Sequence, residues 1–281
     1  MKSNSALTLK LNKNQRNDSV EVLQITDLHL LSEPDKRLLG VKTDETARQV
    51  IELAKSKTWP PDLIVLTGDL CQEPYGATYN RLDQTLQRLG VPCVCLPGNH
   101  DDPLLMQREL KSENVYYTTQ ILSEAWQIIC LDSSRPESEA GHFPGKTLEI
   151  LENHLDQYPE KFALVCLHHH PVSIGSAWLD TMVLDEKNKF FAILKSRSQC
   201  RAVACGHIHQ ALDITYENLQ VFGTPSTCFQ FKPGSENFLL DDKAPGYRRL
   251  CLHRDGTIET QVFRLPELPN GLNLLSSGYR K

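Results

Sequence analysis

Five short clusters of metal-binding side chains each follow directly on an apolar run. The apolar runs cover 20–26, 62–67, 92–97, 162–167 and 202–205. The side chains that follow them and can bind a metal are Asp27, His29, Asp69, Asn99, His169, His207 and His209. All seven offer the oxygen or nitrogen donors that suit divalent first-row metal ions. None is a cysteine, which disfavours a structural zinc site.

Each cluster alone is a weak signal, because a Gly-Asp pair after a strand is usually a turn and Asp-x-His occurs in many chains. Five clusters in order, each at the end of an apolar run, are much harder to explain by structure alone. Two cations about 3.5–4 Å apart can neutralise a phosphodiester and activate a water for in-line attack. The donor set therefore predicts two-metal phosphoester hydrolysis, with Asp69 on the Gly68-Asp69 turn bridging both ions.

The apolar runs predict strands buried on both faces, since they are short, continuous and rich in β-branched residues. Helical patterns separate them at 43–57, 77–89, 147–157 and 186–197, and Thr43 is expected to cap the first helix. Alternating strands and helices are typical of a layered α/β architecture. Ligands in such folds bind at loops beyond the carboxyl ends of the strands, so the five clusters can converge on one pocket.

The last third of the chain has the pattern of antiparallel strands. Residues 213–223 predict a hairpin with its turn at Glu217-Asn218, and 246–253 with 257–265 predict a second. We expect these strands to complete a second sheet. The expected organisation is a flexible N-terminal arm (1–18), a single domain (19–265) and a C-terminal tail (266–281).

Composition excludes several classes of protein. Hydrophobic residues make up 40% and charged residues 23% of the 281 residues, as in ordinary soluble domains. A net charge of −5 argues against a protein that coats nucleic acid. No apolar run approaches the about 18 residues of a membrane helix, and the N-terminus lacks the apolar core of a signal peptide. We therefore expect no nucleic-acid or membrane partner.

The nine cysteines predict a reducing compartment and a cytoplasmic location. Several of them, including Cys251, lie inside apolar runs and are expected to be small buried hydrophobes. His253 lies outside the five clusters, so a packing or surface role is expected for it. Asp132 ends an apolar run like those that carry the clusters, and a capping role is favoured there. Trp178 can stack on a nucleobase or pack in the core, and the sequence leaves both open.

The five blocks D-L-H, G-D, G-N-H-D, H-H-H-P and G-H-I-H, over residues 27–209, resemble the signature of the calcineurin-like metallophosphoesterase superfamily. The segments LQITDLHL, LLGV, LPGNHD, CGHIHQ, TPSTCFQFKP and APGYRRLCLH are similar to the bacterial class III 3′,5′-cyclic-AMP phosphodiesterases, over about 20–265. The resemblance implies a four-layer α/β/β/α sandwich of two mixed sheets. It also implies that 3′,5′-cyclic AMP is hydrolysed to 5′-AMP by a metal-bridging hydroxide.

The same resemblance implies two divalent ions per chain, iron or manganese in most members, with zinc, cobalt or magnesium also compatible. Metal 1 would be held by Asp27, His29, Asp69 and His209, and metal 2 by Asp69, Asn99, His169 and His207. His100 would contact the phosphate and protonate the leaving alkoxide, with Asp101 orienting it through a hydrogen bond. The implied substrate-binding residues are His29, Asp69, Asn99, His100 and His209.

Some choices stay open. In the superfamily the ligand lies two residues before a proline, so Pro171 selects His169, with His168 as the main competitor and His170 off the site. The substrate can also be another small phosphoester, such as a 2′,3′-cyclic nucleotide or a glycerophosphodiester. A metal-free binding module is disfavoured, because all seven donors and His100 are present. The expected partner is a small cyclic nucleotide, and a homodimer stays open.

Overall fold

Two β-sheets supply the framework of the molecule. The computed structural model describes residues 8–11 and 19–278. The strands are β1 (Leu9–Lys10), β2 (Ser19–Ile25), β3 (Leu63–Thr67), β4 (Cys93–Leu96), β5 (Val115–Tyr116), β6 (Gln120–Leu122), β7 (Trp126–Cys130), β8 (Phe162–Leu167), β9 (Cys200–Cys205), β10 (Leu212–Tyr216), β11 (Leu219–Gly223), β12 (Gln230–Phe231), β13 (Leu240–Asp241), β14 (Gly246–His253) and β15 (Ile258–Arg264). The α-helices are α1 (Thr43–Lys57), α2 (Gly76–Gln87), α3 (Pro103–Glu109), α4 (Thr147–Gln157) and α5 (Lys187–Lys195), and Leu179–Met182 form a 3₁₀ turn.

The sheets place the cluster-bearing strands side by side. One sheet has the order β15-β14-β2-β3-β4-β5, and the other has the order β1-β6-β7-β8-β9-β11-β10. A small pair, β12-β13, lies apart. Strands β2 to β5 run parallel, and β7, β8, β9 and β11 also run parallel. The carboxyl ends of parallel neighbours meet at one edge of a sheet, so this topology brings the clusters to common edges.

Hydrophobic contacts stack these sheets and the helices in four layers. Val22 and Val65 of one sheet pack against Ile128 and Leu164 of the other in a buried core between the sheets. Alternate residues of the same strands point outward. Those of the six-stranded sheet pack with residues of α1 to α3, and those of the seven-stranded sheet pack with residues of α4 and α5. The structure thus confirms the predicted four-layer α/β/β/α sandwich.

Helix α1 shows how the elements fit the layers. Acidic Asp44 and Glu45 lie in its first turn and basic Lys55 and Lys57 in its last, which complements the helix dipole. The predicted capping role of Thr43 is wrong, because no side chain caps this helix. The Thr43 hydroxyl instead donates to the carbonyl of a cluster residue, His29, at 2.9 Å. The helix is therefore tied to the end of β2.

The two C-terminal hairpins form as predicted, with one correction. The β10–β11 turn falls at Glu217 and Asn218, whose φ angles of 49° and 70° are those of a tight hairpin turn. The hairpins do not complete one sheet, however. Strand β11 pairs with β9, whereas β14 pairs with β2, so each hairpin extends a different sheet. Helix α3 and strands β5 and β6 were not predicted, whereas β7 is the apolar run that Asp132 follows.

Both termini contact the body of the fold where they are described. Leu9 and Lys10, within the predicted arm, form an edge strand that pairs with Ile121 and Leu122. In the predicted tail, the Asn273 amide donates to the Leu39 carbonyl at 3.0 Å. Residues 1–7, 12–18 and 279–281 of these two segments lie outside the described residues. Among the helices that the structure describes, none has the length and apolar character to cross a membrane.

Candidate metal centre

Hydrogen bonds across the two sheets bring the five clusters together. The Gln24 side chain of β2 donates to the Cys205 carbonyl of β9 at 3.1 Å. The His207 amide, which follows β9, donates to the Asp27 carboxylate at 3.1 Å. The loop after β8 is tied to β3, because His168 Nδ1 lies 2.7 Å from the Thr67 carbonyl. The clusters therefore form one buried site where the two sheets meet.

The backbone at this site is unusual. Nine described residues other than glycine have a positive φ, and five of them are predicted ligands: Asp27, His29, Asp69, His207 and His209. A left-handed backbone costs an L-residue roughly 1–2 kcal/mol. Residues in sparsely populated backbone regions persist only where their surroundings fix them, and they concentrate at functional sites. The fold thus accepts local strain to aim these side chains inward.

Glycines permit the close approach of the loops. A Cβ atom at Gly98 would lie 2.2 Å from Asp69 Oδ1, and one at Gly206 would lie 2.1 Å from Thr26 Oγ1. Both distances are far below van der Waals contact. The same Asp69 oxygen accepts a hydrogen bond of 3.0 Å from the His100 amide. The glycines of the G-N-H-D and G-H-I-H blocks are therefore required by packing around the carboxylates.

The first donor group contains His29 and His209, whose Nε2 atoms lie 3.1 Å apart. The Nδ1 atoms of these rings face acceptors, the Gln72 side-chain oxygen and the Phe229 carbonyl, both at 2.9 Å. With each Nδ1 protonated toward its acceptor and both rings neutral, two Nε2 lone pairs would face each other. Burial lowers the pKa of His29 to about 3, which keeps this ring neutral. A cation between the lone pairs would remove their repulsion.

Carboxylates complete this first group. Asp27 Oδ1 lies 3.3 Å from His209 Nε2, and Asp69 Oδ2 lies 3.6 Å from His29 Nε2. Burial opposes ionisation of Asp69, but the field of His168 nevertheless holds its pKa well below the usual range. Two carboxylates and two imidazole lone pairs thus converge on one point, and this donor chemistry fits a divalent metal ion.

The second donor group shares Asp69 with the first. His168 Nε2 lies 3.4 Å from Asp69 Oδ2 and 3.2 Å from Asn99 Oδ1. Although burial disfavours the charged ring, the charge of Asp69 raises the pKa of His168 to about 9. His207 Nε2 is shielded from solvent and has no hydrogen-bond partner in the described part of the chain. A buried nitrogen without a partner is costly, and a metal ion would supply one.

The three consecutive histidines have different surroundings. The Nδ1 of His169 lies 2.9 Å from Ser133 Oγ, and its Nε2 has no hydrogen-bond partner among the described residues. Ligand atoms of His168, His169 and His207 lie within 4.8 Å of one another. His170 stacks on His207 at a centroid distance of 5.6 Å, with Nε2 3.8 Å from Asp180. Of the three, His168 makes the contacts with Asp69 and Asn99.

His100 lies beside the first group. Its ring centroid is 5.0 Å from that of His29, and its Nδ1 lies 2.9 Å from the Gln72 carbonyl. The Asp101 carboxylate, expected to bind the His100 ring, instead accepts hydrogen bonds from the amides of Gly98, Leu70 and Cys71 and from the Tyr79 hydroxyl. Asp101 therefore fixes the loop that carries Asn99 and His100 to the loop that carries Asp69.

Sequence patterns missed the residues that orient these rings. Gln72 holds His29 through its side chain and His100 through its carbonyl, and Thr67 and Phe229 supply acceptors from their backbones. Among them, Gln72 stood close to a recognised block, three residues after Asp69. Asp132, for which a capping role was favoured, precedes no helix directly, and its Oδ1 accepts from the Ser134 amide at 2.8 Å within the loop after β7.

Trp178 is held by packing. Its ring contacts Phe231 and Phe238 edge-on at centroid distances of 4.9 and 5.4 Å, and its Nε1 donates to Ser235 Oγ. Phe231 in turn stacks on His209 at 4.1 Å. This aromatic group supports the ring of a predicted ligand, so the structure favours core packing for Trp178.

Known proteins with similar sequences match almost the whole chain. A 3′,5′-cyclic adenosine monophosphate phosphodiesterase CpdA of Escherichia coli (strain K12) is 40% identical over 279 residues, which cover 98% of this chain and 99% of that protein. The CpdA of Vibrio vulnificus is 39% identical over 93% of this chain and 96% of its own length. A 3′,5′-cyclic-nucleotide phosphodiesterase of Nostoc is 34% identical over 88% and 93%.

The fold also matches a solved structure. A dimetal phosphatase from Danio rerio superposes with a TM-score of 0.57 at 16% identity, over 87% of this chain and 98% of that one. The family model for the calcineurin-like phosphoesterases matches residues 20–211, which hold all five clusters. Membership of this family implies a site for divalent metal ions, which the two donor groups fit. The chain belongs to the calcineurin-like phosphoesterase family.

Proposed function

We propose that this enzyme hydrolyses 3′,5′-cyclic AMP to 5′-AMP with two divalent metal ions. The observation that carries the proposal is the pair of donor groups that share Asp69, each with nitrogen and oxygen atoms converging on one point. A shared carboxylate is what two ions about 3.5–4 Å apart need as a bridge. The names of the curated relatives, which cover almost the whole chain, support the cyclic nucleotide as substrate.

The first ion would be held by Asp27, His29, Asp69 and His209, and the second by Asp69, Asn99, His168 and His207. We choose His168 in place of the predicted His169, because its Nε2 lies near both Asp69 and Asn99. His169 would support the ring of its neighbour. The proposed metals are iron or manganese, and zinc, cobalt or magnesium suits the same donors.

When bound, the ions supply positive charge that offsets that of the phosphate, and they lower the pKa of a water. Four of the proposed ligands are neutral imidazole rings and one is a neutral amide, so only Asp27 and Asp69 bring negative charge. The site therefore keeps a positive charge for an anionic substrate. A sequence with net charge −5 can bind a phosphate in this way, because a bound metal inverts the local field.

His100 would move the proton in this reaction. Its Nδ1–H is held by the Gln72 carbonyl, which leaves Nε2 as the nitrogen that can donate to the leaving oxygen. Hydroxide forms a new bond to phosphorus, the bond from phosphorus to the 3′ oxygen breaks, and that oxygen takes the proton from His100. The product keeps its phosphate on the 5′ oxygen. Asp101 would act through the loop that it fixes.

The other parts of the proposal concern partners and location. The substrate would be the small-molecule partner, and we propose no nucleic-acid partner because the chain lacks an excess of basic residues. A cytoplasmic location is supported by the nine cysteines, all of which are buried and unpaired in the structure.

A hydrolysis panel tests the substrate. Metal-loaded full-length protein is given cyclic AMP, cyclic GMP, a 2′,3′-cyclic nucleotide, a glycerophosphodiester and a phosphomonoester, and kcat/KM is measured for each. We expect the highest value for cyclic AMP, with 5′-AMP as the product. A higher value for the glycerophosphodiester or the phosphomonoester would contradict the proposal. A mock preparation, purified in the same way from cells that do not express the protein, is the control, because activity in it would come from a contaminant.

A further inference from the structure

A second group of metal-binding side chains lies at the opposite end of β2. Cys251 and His253 are two residues apart on β14 and so share one face, and Cys251 is paired in register with Glu259 on β15. One ligand atom from each lies within 4.8 Å of the other two. His253 pairs with Ser19 at the start of β2, whereas Asp27 follows its end. At about 3.3 Å per residue, roughly 25 Å separates the two groups.

Two of these side chains have unused ligand capacity, whereas the Cys251 thiol makes side-chain hydrogen bonds with Ser19 and Glu21 that a metal would replace. His253 Nε2 is shielded from solvent and has no hydrogen-bond partner in the described chain, and it lies 3.4 Å from Glu259 Oε1. The side chain of Glu259 is 70% exposed, so it can rotate toward a ligand at low cost. Cys251 is only 3% exposed. A buried thiol, an imidazole nitrogen that makes no hydrogen bond to the described residues and an exposed carboxylate thus face one point.

The neighbouring carboxylate, Glu21, shares a side-chain hydrogen bond with the Cys251 thiol, which the thiol gives up when it binds a metal. Glu21 pairs in register with Cys251 on the other side, from β2. Its oxygens are held by the Arg249 guanidinium, whose Nε donates at 2.7 Å. This ion pair neutralises Glu21. The charge that faces the point therefore comes from Glu259 and, once deprotonated, from Cys251.

We propose that Cys251, His253 and Glu259 form a zinc site distinct from the dinuclear centre. Zinc accepts thiolate, imidazole and carboxylate together, at about 2.0–2.3 Å and in tetrahedral geometry. Neighbouring donors of such a tetrahedron lie roughly 3.3–3.8 Å apart, close to the 3.4 Å between His253 and Glu259. Magnesium and calcium prefer oxygen ligands alone, so they do not fit.

The charges of this site balance. On binding, the Cys251 thiol releases its proton to solvent and a thiolate–zinc bond forms, while Glu259 contributes its existing charge. The negative charges of the thiolate and the carboxylate together cancel the two positive charges of the ion. The bound centre is therefore neutral and needs no further charged ligand. Three protein ligands leave the fourth position to water, so the ion should exchange more readily than in a closed four-ligand site.

Cobalt reports the site directly. Full-length protein with its dinuclear centre already loaded is titrated with Co²⁺, and the near-ultraviolet band of thiolate-to-cobalt charge transfer is followed. The proposed ligands of the dinuclear centre are nitrogen and oxygen atoms, so they cannot give this band. We expect one further equivalent of Co²⁺ to produce it. Zinc should then displace the cobalt and bleach the band.

Variants locate the site. Cys251→Ser should abolish the band, and Glu259→Gln should weaken Co²⁺ binding about tenfold. Cys200→Ser, which removes a cysteine outside the group, should keep the band and serves as the matched control. No band in the unaltered protein, or an undiminished band in Cys251→Ser, would overturn the proposal. If Cys251→Ser does not fold, His253→Gln replaces it, because that side chain is 34% exposed. None of these readouts depends on phosphoester hydrolysis, so the two proposals fail separately.

Discussion

The two ends of strand β2 carry donor groups built in opposite ways. At its carboxyl end five of the seven proposed ligands have a left-handed backbone, and Asp27, His29 and His168 are fully buried. At its amino end Cys251 and Glu259 lie on regular paired strands, and Glu259 is largely exposed. The first end has the strained backbone and burial that fix ligands in advance, whereas the second has an ordinary sheet with side chains that must adjust.

The hydrogen bonds around the rings explain this difference. At the carboxyl end a defined partner holds one nitrogen of His29, His209 and His168, which sets the tautomer and aims the other nitrogen. At the amino end His253 Nε2 makes no hydrogen bond to the described residues and lies 3.4 Å from Glu259 Oε1. The comparison indicates what distinguishes a proposed catalytic site from a proposed simple ion-binding site. The hydrogen-bond partners that orient the rings, which we call the orienting shell, matter more than the types of donor.

The largest expected effect comes from removing a donor of the prepared site. Asn99→Ala removes the oxygen beside His168 Nε2, so the second ion should be lost and turnover should fall on the order of 10³-fold or more, because the two ions act as one clamp. Metal content by elemental analysis and kcat for cyclic AMP measure this. The control is Asn80→Ala, a surface position on α2. Near-normal turnover in Asn99→Ala would refute the assignment of Asn99.

His100→Ala should lower kcat by roughly 10²–10⁴-fold, the usual contribution of a general acid, while both ions stay bound. The loss should be greatest for substrates with a poor leaving group. An activated nitrophenyl diester needs no proton on its leaving oxygen, so it should suffer least. An equal loss on both substrates would argue against the proton-donor role.

Variants of the three consecutive histidines test which ring binds the second ion. His168→Ala should weaken binding of the second ion more than His169→Ala, and His170→Ala should weaken it least, because His168 Nε2 contacts both Asp69 and Asn99. Isothermal titration with Mn²⁺ after removal of bound metal ranks the three. If His169→Ala showed the largest loss, the ligand predicted from the spacing to Pro171 would be restored.

The sequence predicts some features of the metal centre and leaves others open. The positions of the clusters were predictable, because each apolar run ends where the donors begin. Our proposal of His168 in place of His169 was not predictable, since it rests on contacts of His168 such as the hydrogen bond with the Thr67 carbonyl, 101 residues away in sequence. A local motif contains no information about that partner.

The same reason explains other contacts that the sequence left open. The hairpins were visible in the alternation of their residues, but their neighbours were not. Strand β14 pairs with β2, so Cys251 faces Glu21, a residue 230 positions earlier. His253 was accordingly expected to have only a packing or surface role, although the sheet places it beside Glu259. Thr43 likewise bonds His29 rather than capping its own helix.

Variants of Gln72 test whether the hydrogen-bond partners of the ligand rings affect metal affinity. Gln72→Leu removes the acceptor of His29 Nδ1–H but keeps the backbone carbonyl that holds His100. Loss of such a partner usually costs 10–100-fold in metal affinity or activity, so we expect a decrease of about this size in affinity for the first ion. Gln72→Glu keeps an acceptor oxygen and should recover most of it. Equal affinities in all three proteins would show that the shell does not hold the ring.

The smallest effect on catalysis should come from the amino end of β2. Cys251→Ser should leave kcat/KM for cyclic AMP within about twofold, because roughly 25 Å separates Cys251 from the dinuclear centre. It should instead remove a stabilisation by zinc. An ion that binds only the folded protein stabilises it by about 2.7 kcal/mol at 100 times its Kd, which corresponds to roughly 5–10 °C in Tm for a chain of this size. Thermal melts with and without zinc, on protein whose dinuclear centre is already loaded, measure that shift. A shift of equal size in Cys251→Ser would mean that zinc acts elsewhere, and the contrast between the two ends of β2 would then be wrong.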